Sequence, residues 1–115
     1  MYNLEELILE YVSGFSDLSP LKKLTKLKSL HFENLRKVKN FDGLSGIKSL
    51  RYLYINGTLD WKQPIENFEF LKGLPNLEVL ALIWVINKTA YPAFEPIATL
   101  KKLKKINIIS NMFAT

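Results

Sequence analysis

Leu18-Ser19-Pro20-Leu21-Lys22-Lys23-Leu24-Thr25-Lys26-Leu27-Lys28-Ser29-Leu30-His31-Phe32 carries two rhythms in succession: leucines three apart from Leu18 to Leu30, then a step of two from Leu30 to Phe32. On a 3.6-residue helix each step of three turns the side chain by about 300°, so a run of them smears the apolar set around the cylinder. A 3₁₀ helix keeps such a stripe aligned but seldom runs beyond about four residues. The chain must therefore change direction, and the step of two marks a short strand with one buried face.

The same pattern occurs five times. Leu4, Leu27, Leu50, Leu77 and Leu103 each open a leucine, two residues, an apolar residue, one residue and a further apolar residue, with the alternation at Leu7 to Leu9, Leu30 to Phe32, Leu53 to Ile55, Leu80 to Leu82 and Ile106 to Ile108. Steps of three return as Phe41, Leu44, Ile47, Leu50, then Phe68, Leu71, Leu74, Leu77, then Phe94, Ile97, Leu100, Leu103. In the first two repeats they also follow the strand, through Val12, Phe15 and Leu18 and through Leu35, Val38 and Phe41. Each repeat predicts a strand, a turn and a loose, 3₁₀ or short helical return segment, with boundaries at 1–26, 27–49, 50–76, 77–102 and 103–115. The opening leucines are 23 residues apart at first, then 27 and 26, and the excess falls between Thr58 and Ile65 and between Val85 and Tyr91. Those two insertions predict loops that bulge from the strand-to-return edge.

A chain of 115 residues has room for one domain and a modest core. It has no cysteine and one histidine, His31, which excludes a disulfide framework, a thiolate metal site, a cysteine nucleophile and a histidine cluster. No glycine-rich phosphate loop or calcium loop accompanies the turn signals Asp42-Gly43 and Asn56-Gly57, so no cofactor is expected. Asn56-Gly57-Thr58 and Asn87-Lys88-Thr89 match the glycosylation sequon by chance if the chain is cytoplasmic. The N-terminus has no basic n-region, and the longest uncharged apolar run, 79–87, is less than half a membrane span. The expectation is a soluble, cytoplasmic protein.

The pattern Leu-x-x-Leu-x-Leu, with return segments such as Ser16 to Leu27, resembles leucine-rich repeats of the internalin-like bacterial subclass, and the likeness extends over essentially the whole chain. The resemblance implies an α/β solenoid: about five short parallel strands on a concave sheet, with 3₁₀ or short helical returns on the convex side. That family carries an asparagine eight residues after the opening leucine, where it bonds the turn backbone of adjacent coils. Here the column reads Val12, Leu35, Thr58, Val85 and Asn111, which predicts irregular geometry from one coil to the next.

Strand alternation puts Glu6, Ser29, Tyr52, Val79 and Lys105 in one outward row, Ile8, His31, Tyr54, Ala81 and Asn107 in a second, and Glu10, Glu33, Asn56, Ile83 and Ile109 in a third. With strands about 4.8 Å apart, each row is roughly 20 Å long, a binding-sized surface. Tyr52 and Tyr54, with Trp84 at the strand's end and Trp61 in the preceding insertion, are the residue types that anchor protein interfaces, unless the insertions fold back and bury the tryptophans. The predicted protein-binding set is thus Glu6, Ile8 and Glu10, His31 and Glu33, Tyr52 and Tyr54, Trp61, and Ile83 with Trp84.

The net charge of +5 invites a nucleic-acid reading. The lysines, however, crowd the returns at Lys22, Lys23, Lys26, Lys37, Lys39, Lys101, Lys102 and Lys104, where they keep an outer face solvated. Nucleic acid is disfavoured, a membrane and a small-molecule substrate are not expected, and His31 has no evident nucleophile or oxyanion donor to serve. The expected function is a non-enzymatic module that holds a protein partner on its sheet, as an inhibitor or immunity protein would. The alternative is an assembly unit that self-associates through solenoid ends, since only Met112 and Phe113 offer a lid at one of them.

Overall fold

Among the described residues seven strands form, in chain order β1 (Glu6–Glu10), β2 (Ser29–Glu33), β3 (Tyr52–Asn56), β4 (Gln63–Ile65), β5 (Val79–Ile83), β6 (Val85–Asn87) and β7 (Lys105–Ile109). They come from a computed structural model that describes residues 3–11, 14, 16–58, 60–87 and 94–109. Five of them, one from each sequence repeat, make a parallel sheet in the order β1-β2-β3-β5-β7. Its register joins equivalent positions throughout: Glu6 to Ser29 to Tyr52 to Val79 to Lys105. A slip of one residue would turn every apolar side chain to the opposite face, so the alternation itself fixes this alignment.

The inward columns form the core. Leu27, Leu50 and Leu77 are buried, as are Leu30, Leu53 and Leu80 behind the strands. Phe32, Phe41, Phe70 and Phe68 form an aromatic chain across the repeats, with successive ring centroids 5.8, 5.8 and 6.4 Å apart. These tilted contacts add to the burial of apolar area. The returns are 3₁₀ turns at Ser19–Lys23, Asp42–Leu44 and Glu69–Gly73 and an α-helical turn at Phe94–Ala98, each packed against the next. The lysines expected on the outside, Lys22 through Lys104, are all exposed.

Each 3₁₀ turn is started by the same device. Asp17, Asn40 and Asn67 accept a hydrogen bond from the amide two residues on, at 3.0, 2.8 and 2.9 Å. This Asx turn bends the backbone into the return and satisfies an amide that the short helix leaves over.

Two expectations need correction. The insertions are not simply loops: β4 and β6 pair in parallel as a second, two-stranded sheet at the C-terminal rim of the main one. Apolar residues drive this, since Pro64, Ile65 and Val85 are all buried, and Pro64 is tolerated because an edge strand need not donate on both sides. Residues 88–93 of the second insertion lie outside the description, as do Val12, Phe15, Asn111, Met112 and Phe113.

The missing asparagine column likewise leaves the strand register undisturbed. At Leu35, one of the positions of that column without an asparagine, the turn is held by Gln63, which is fully buried. Its Oε1 accepts from the Leu35 amide at 2.9 Å, and its Nε2 donates to the carbonyls of Leu35 at 3.2 Å and Val38 at 2.9 Å. A side chain from the inserted strand thus supplies hydrogen bonds that the buried turn backbone needs.

Candidate functional site

One face of the main sheet packs on the core and the other is open. On the open face Glu6, Ile8 and Glu10 of β1 are exposed, and His31, Glu33, Tyr52, Tyr54 and Ile83 on the next strands are half-buried. Ile8 is 50 % exposed, which places an aliphatic side chain in water beside the His31 and Tyr54 rings of its row. Ala81 is the exception among the outward positions. It is 6 % exposed, because its methyl is short and stands beside Tyr54 in register.

His31, Tyr54, Asn56 and Glu33 form the centre of this face. The His31 and Tyr54 rings lie 5.7 Å apart and tilted. Asn56 Nδ2 is 3.1 Å from His31 Nε2 and donates to it when the ring proton sits on Nδ1. Glu33 Oε2 approaches the same nitrogen at 3.9 Å, beyond hydrogen-bond distance. Asn56 Oδ1 is buried and has no hydrogen-bond partner among the described residues. With the amide turned over, that oxygen would accept from a ring proton on Nε2, so ring tautomer and amide orientation are coupled. The sequence reading placed Asn56 in an outward row without including it in the binding set. Its amide reaching across to a histidine on the neighbouring strand is visible only once the register is known.

Toward β1 the face dips into a depression of about 370 Å³ lined by Glu5, Glu6, Lys28, Ser29, Tyr52 and Tyr54. Two aromatic walls, two carboxylates and one ammonium converge there, a set that suits an amphipathic side chain of a partner. The other end of the face is aliphatic, with Val79 and Ile83 half-buried and Ile109 45 % exposed.

The two tryptophans sit at the C-terminal rim. Trp84 follows β5 with a left-handed backbone (φ 54°), as do Tyr11 after β1 and Asn34 after β2. In each case the amide bonds the last residue of the next strand: Tyr11 to Glu33, Asn34 to Asn56, Trp84 to Ile109. Trp61 lies in a turn closed by its amide on Thr58 Oγ1 at 3.0 Å, and the Arg36 guanidinium stands 4.3 Å from its ring centroid. Both indoles are half-buried, so the insertions neither bury them in the core nor leave them bare. Arg36, missed by the sequence reading, extends the aromatic patch with a stacked cation.

The opposite, N-terminal rim is polar. Glu5 pairs with Lys28 at 3.5 Å, and Glu78 pairs with Arg51 at 3.7 Å and Lys104 at 3.4 Å, which makes a ladder of charges along the strand starts. Ser49 Oγ donates to the Leu27 carbonyl at 2.6 Å and Asn76 Nδ2 to that of Lys48 at 2.7 Å, which ties successive repeats together.

Among the described residues no group of three or more His, Asp or Glu is placed to hold a metal ion, and no helix is long and apolar enough to cross a membrane. No known family model matches the chain, and no curated protein shows significant similarity to it.

Proposed function

We propose that this chain is a small leucine-rich repeat protein that binds a folded protein partner and catalyses nothing. In this reading the stacked repeats are a short solenoid, and the open face is its concave side. The tryptophan-bearing insertions are arms that flank the partner. A cytoplasmic inhibitor or immunity protein is the kind of role that suits such a rigid, self-contained surface.

The observation that carries the reading is the row-by-row alignment of half-exposed Tyr52, Tyr54, His31 and Glu33 on a parallel sheet with no element packed over them among the described residues. Rings held by a sheet lose little conformational freedom on binding, which is why such residues dominate interface energetics.

The test is affinity capture with Tyr52→Ala and Tyr54→Ala combined, against Lys22→Glu and Lys23→Glu on the opposite face. Each tyrosine truncation at a hot spot costs about 2 kcal/mol, close to thirtyfold in affinity. A captured protein should be lost with the tyrosine variant and kept with the lysine variant, while circular dichroism is unchanged in both. Equal retention by the two variants overturns the proposal.

A further inference from the structure

The apolar columns that are sealed in the middle of the sheet open at its two ends. Leu30, Leu53 and Leu80 are fully buried, whereas Ile106, next in that column, is 43 % exposed, and Leu7 at the other end is half-buried. Leu7 and Leu9, with Leu18, Pro20 and Leu21, line an apolar groove of about 260 Å³ beside β1. In the sheet order β1 and β7 each have one strand neighbour among the described residues.

Residues of a parallel strand bond alternately to the strand on either side. The Tyr52 amide bonds the Lys28 carbonyl, and the Asn34 amide bonds that of Asn56, so even-numbered positions around β2 face β3. By the same alternation Glu6, Ile8 and Glu10 turn their amides and carbonyls to the outer edge of β1. The Lys104 carbonyl and the polar backbone groups of Ile106 and Ile108 turn to the outer edge of β7.

Charge decides which edges can meet. The β1 edge carries Glu5, Glu6 and Glu10, and the β7 edge carries Lys104 and Lys105. Two β1 edges repel, as do two β7 edges, whereas β7 against β1 attracts. Continuing the sheet in its own register would set Lys105 opposite Glu6, Ile106 opposite Leu7 and Ile108 opposite Leu9 of a second copy. Lys104 would then meet Glu5, the same kind of pair that Glu5 makes with Lys28 and Glu78 with Lys104 inside the chain.

We infer that the β7 edge of one chain adds in parallel to the β1 edge of a second copy, head to tail. The contact is heterologous, so it extends beyond a dimer unless the sheet twist closes it into a ring. The contact runs along the sheet edges and would lengthen the rows of the open face, in which Glu6 and Lys105 stand. Charges on edge strands also serve to prevent pairing. Here the signs are opposite at the two ends, which blocks like ends and favours unlike ones.

Sedimentation of the full chain at increasing concentration tests this, with Glu6→Lys and Lys105→Glu as separate variants. Both positions face solvent and neither replaces a core residue, so circular dichroism should be unchanged. The wild type should gain mass with concentration. Each variant alone opposes like charges and should need on the order of tenfold or more protein to associate. An equimolar mixture restores complementary pairs at both edges and should recover wild-type association. A wild type that stays monomeric at the highest concentration reached overturns the inference, as does association of both variants alone or a mixture no heavier than its components.

Discussion

The two rims of the main sheet hold the same repeat by different physics. Where the strands start, neighbours are joined by charged side chains at the surface: Lys28 is about half exposed, Lys104 has 76 % of its side chain exposed, and their carboxylate partners range from Glu5 at 62 % to Glu78 at 23 %. Where they finish, they are joined by buried hydrogen bonds, with the Gln63 amide, carried by the second sheet, inside the protein. An exposed pair contributes about 1 kcal/mol or less, whereas a buried polar group that loses its partner costs about 1–3 kcal/mol. The fold should therefore be fragile at one rim and tolerant at the other, although the repeats themselves run through both.

The largest effect should come from Gln63→Leu. It leaves the Leu35 amide and the Leu35 and Val38 carbonyls buried without that partner, and about 3 kcal/mol or more of stability should be lost in urea titrations. A loss below about 1 kcal/mol would mean that water replaces the amide and that the contrast between rims is weaker than drawn. Gly57→Ala comes next. A Cβ there would overlap the Trp84 carbonyl oxygen and press on the Gln63 nitrogen at 2.6 Å, which forces the second sheet away from the first. The expected cost is about 2 kcal/mol, and the thermal midpoint measures it.

At the opposite rim Glu78→Gln removes the pairs to both Arg51 and Lys104 yet should cost less than about 1 kcal/mol, and the difference should fade in high salt. A salt-independent loss of the size expected for Gln63→Leu would erase the distinction between the rims. The smallest effect lies in the first return. The backbone amide of Ser19, then its hydroxyl, bonds the Asp17 carboxylate and holds its pKa below the ordinary carboxylate value. A depressed folded pKa stabilises above the unfolded value, and the contribution disappears as pH falls through the folded one. Asp17→Asn, the residue type found at positions 40 and 67, should keep the turn and abolish that acid-side component. Thermal midpoints compared between about pH 5 and pH 2 would show it.

Much of the main sheet was legible because two independent signals agreed. The opening leucines aligned the repeats, and the step of two after Leu7, Leu30, Leu53, Leu80 and Ile106 assigned faces; together they determine every register pair observed. The second sheet was not legible. Gln63-Pro64-Ile65 and Val85-Ile86-Asn87 are too short to show alternation, and Pro64 signals a turn. Gln63 carries no signal of its role in the sequence, because its partner Leu35 lies 28 residues away and Gln63 stands outside the column of repeat positions. The Asx turns at Asp17, Asn40 and Asn67 were readable in principle, but the insertion in the third repeat shifts the last of them out of the 23-residue spacing. Of the candidate face, the rows followed from alternation. The exposure of Trp61 and Trp84 did not, because it depends on how the insertions pair.

The Arg36 guanidinium above Trp61 has an optical consequence. Trp61 and Trp84 are the only tryptophans in the chain, and both stand at the C-terminal rim. Indole emission therefore reports on that rim, whereas the far-ultraviolet signal reports on the five-stranded sheet. If the inserted sheet opens before the rest, fluorescence and circular dichroism will trace separate unfolding curves, and the gap between them measures the free energy of that local opening.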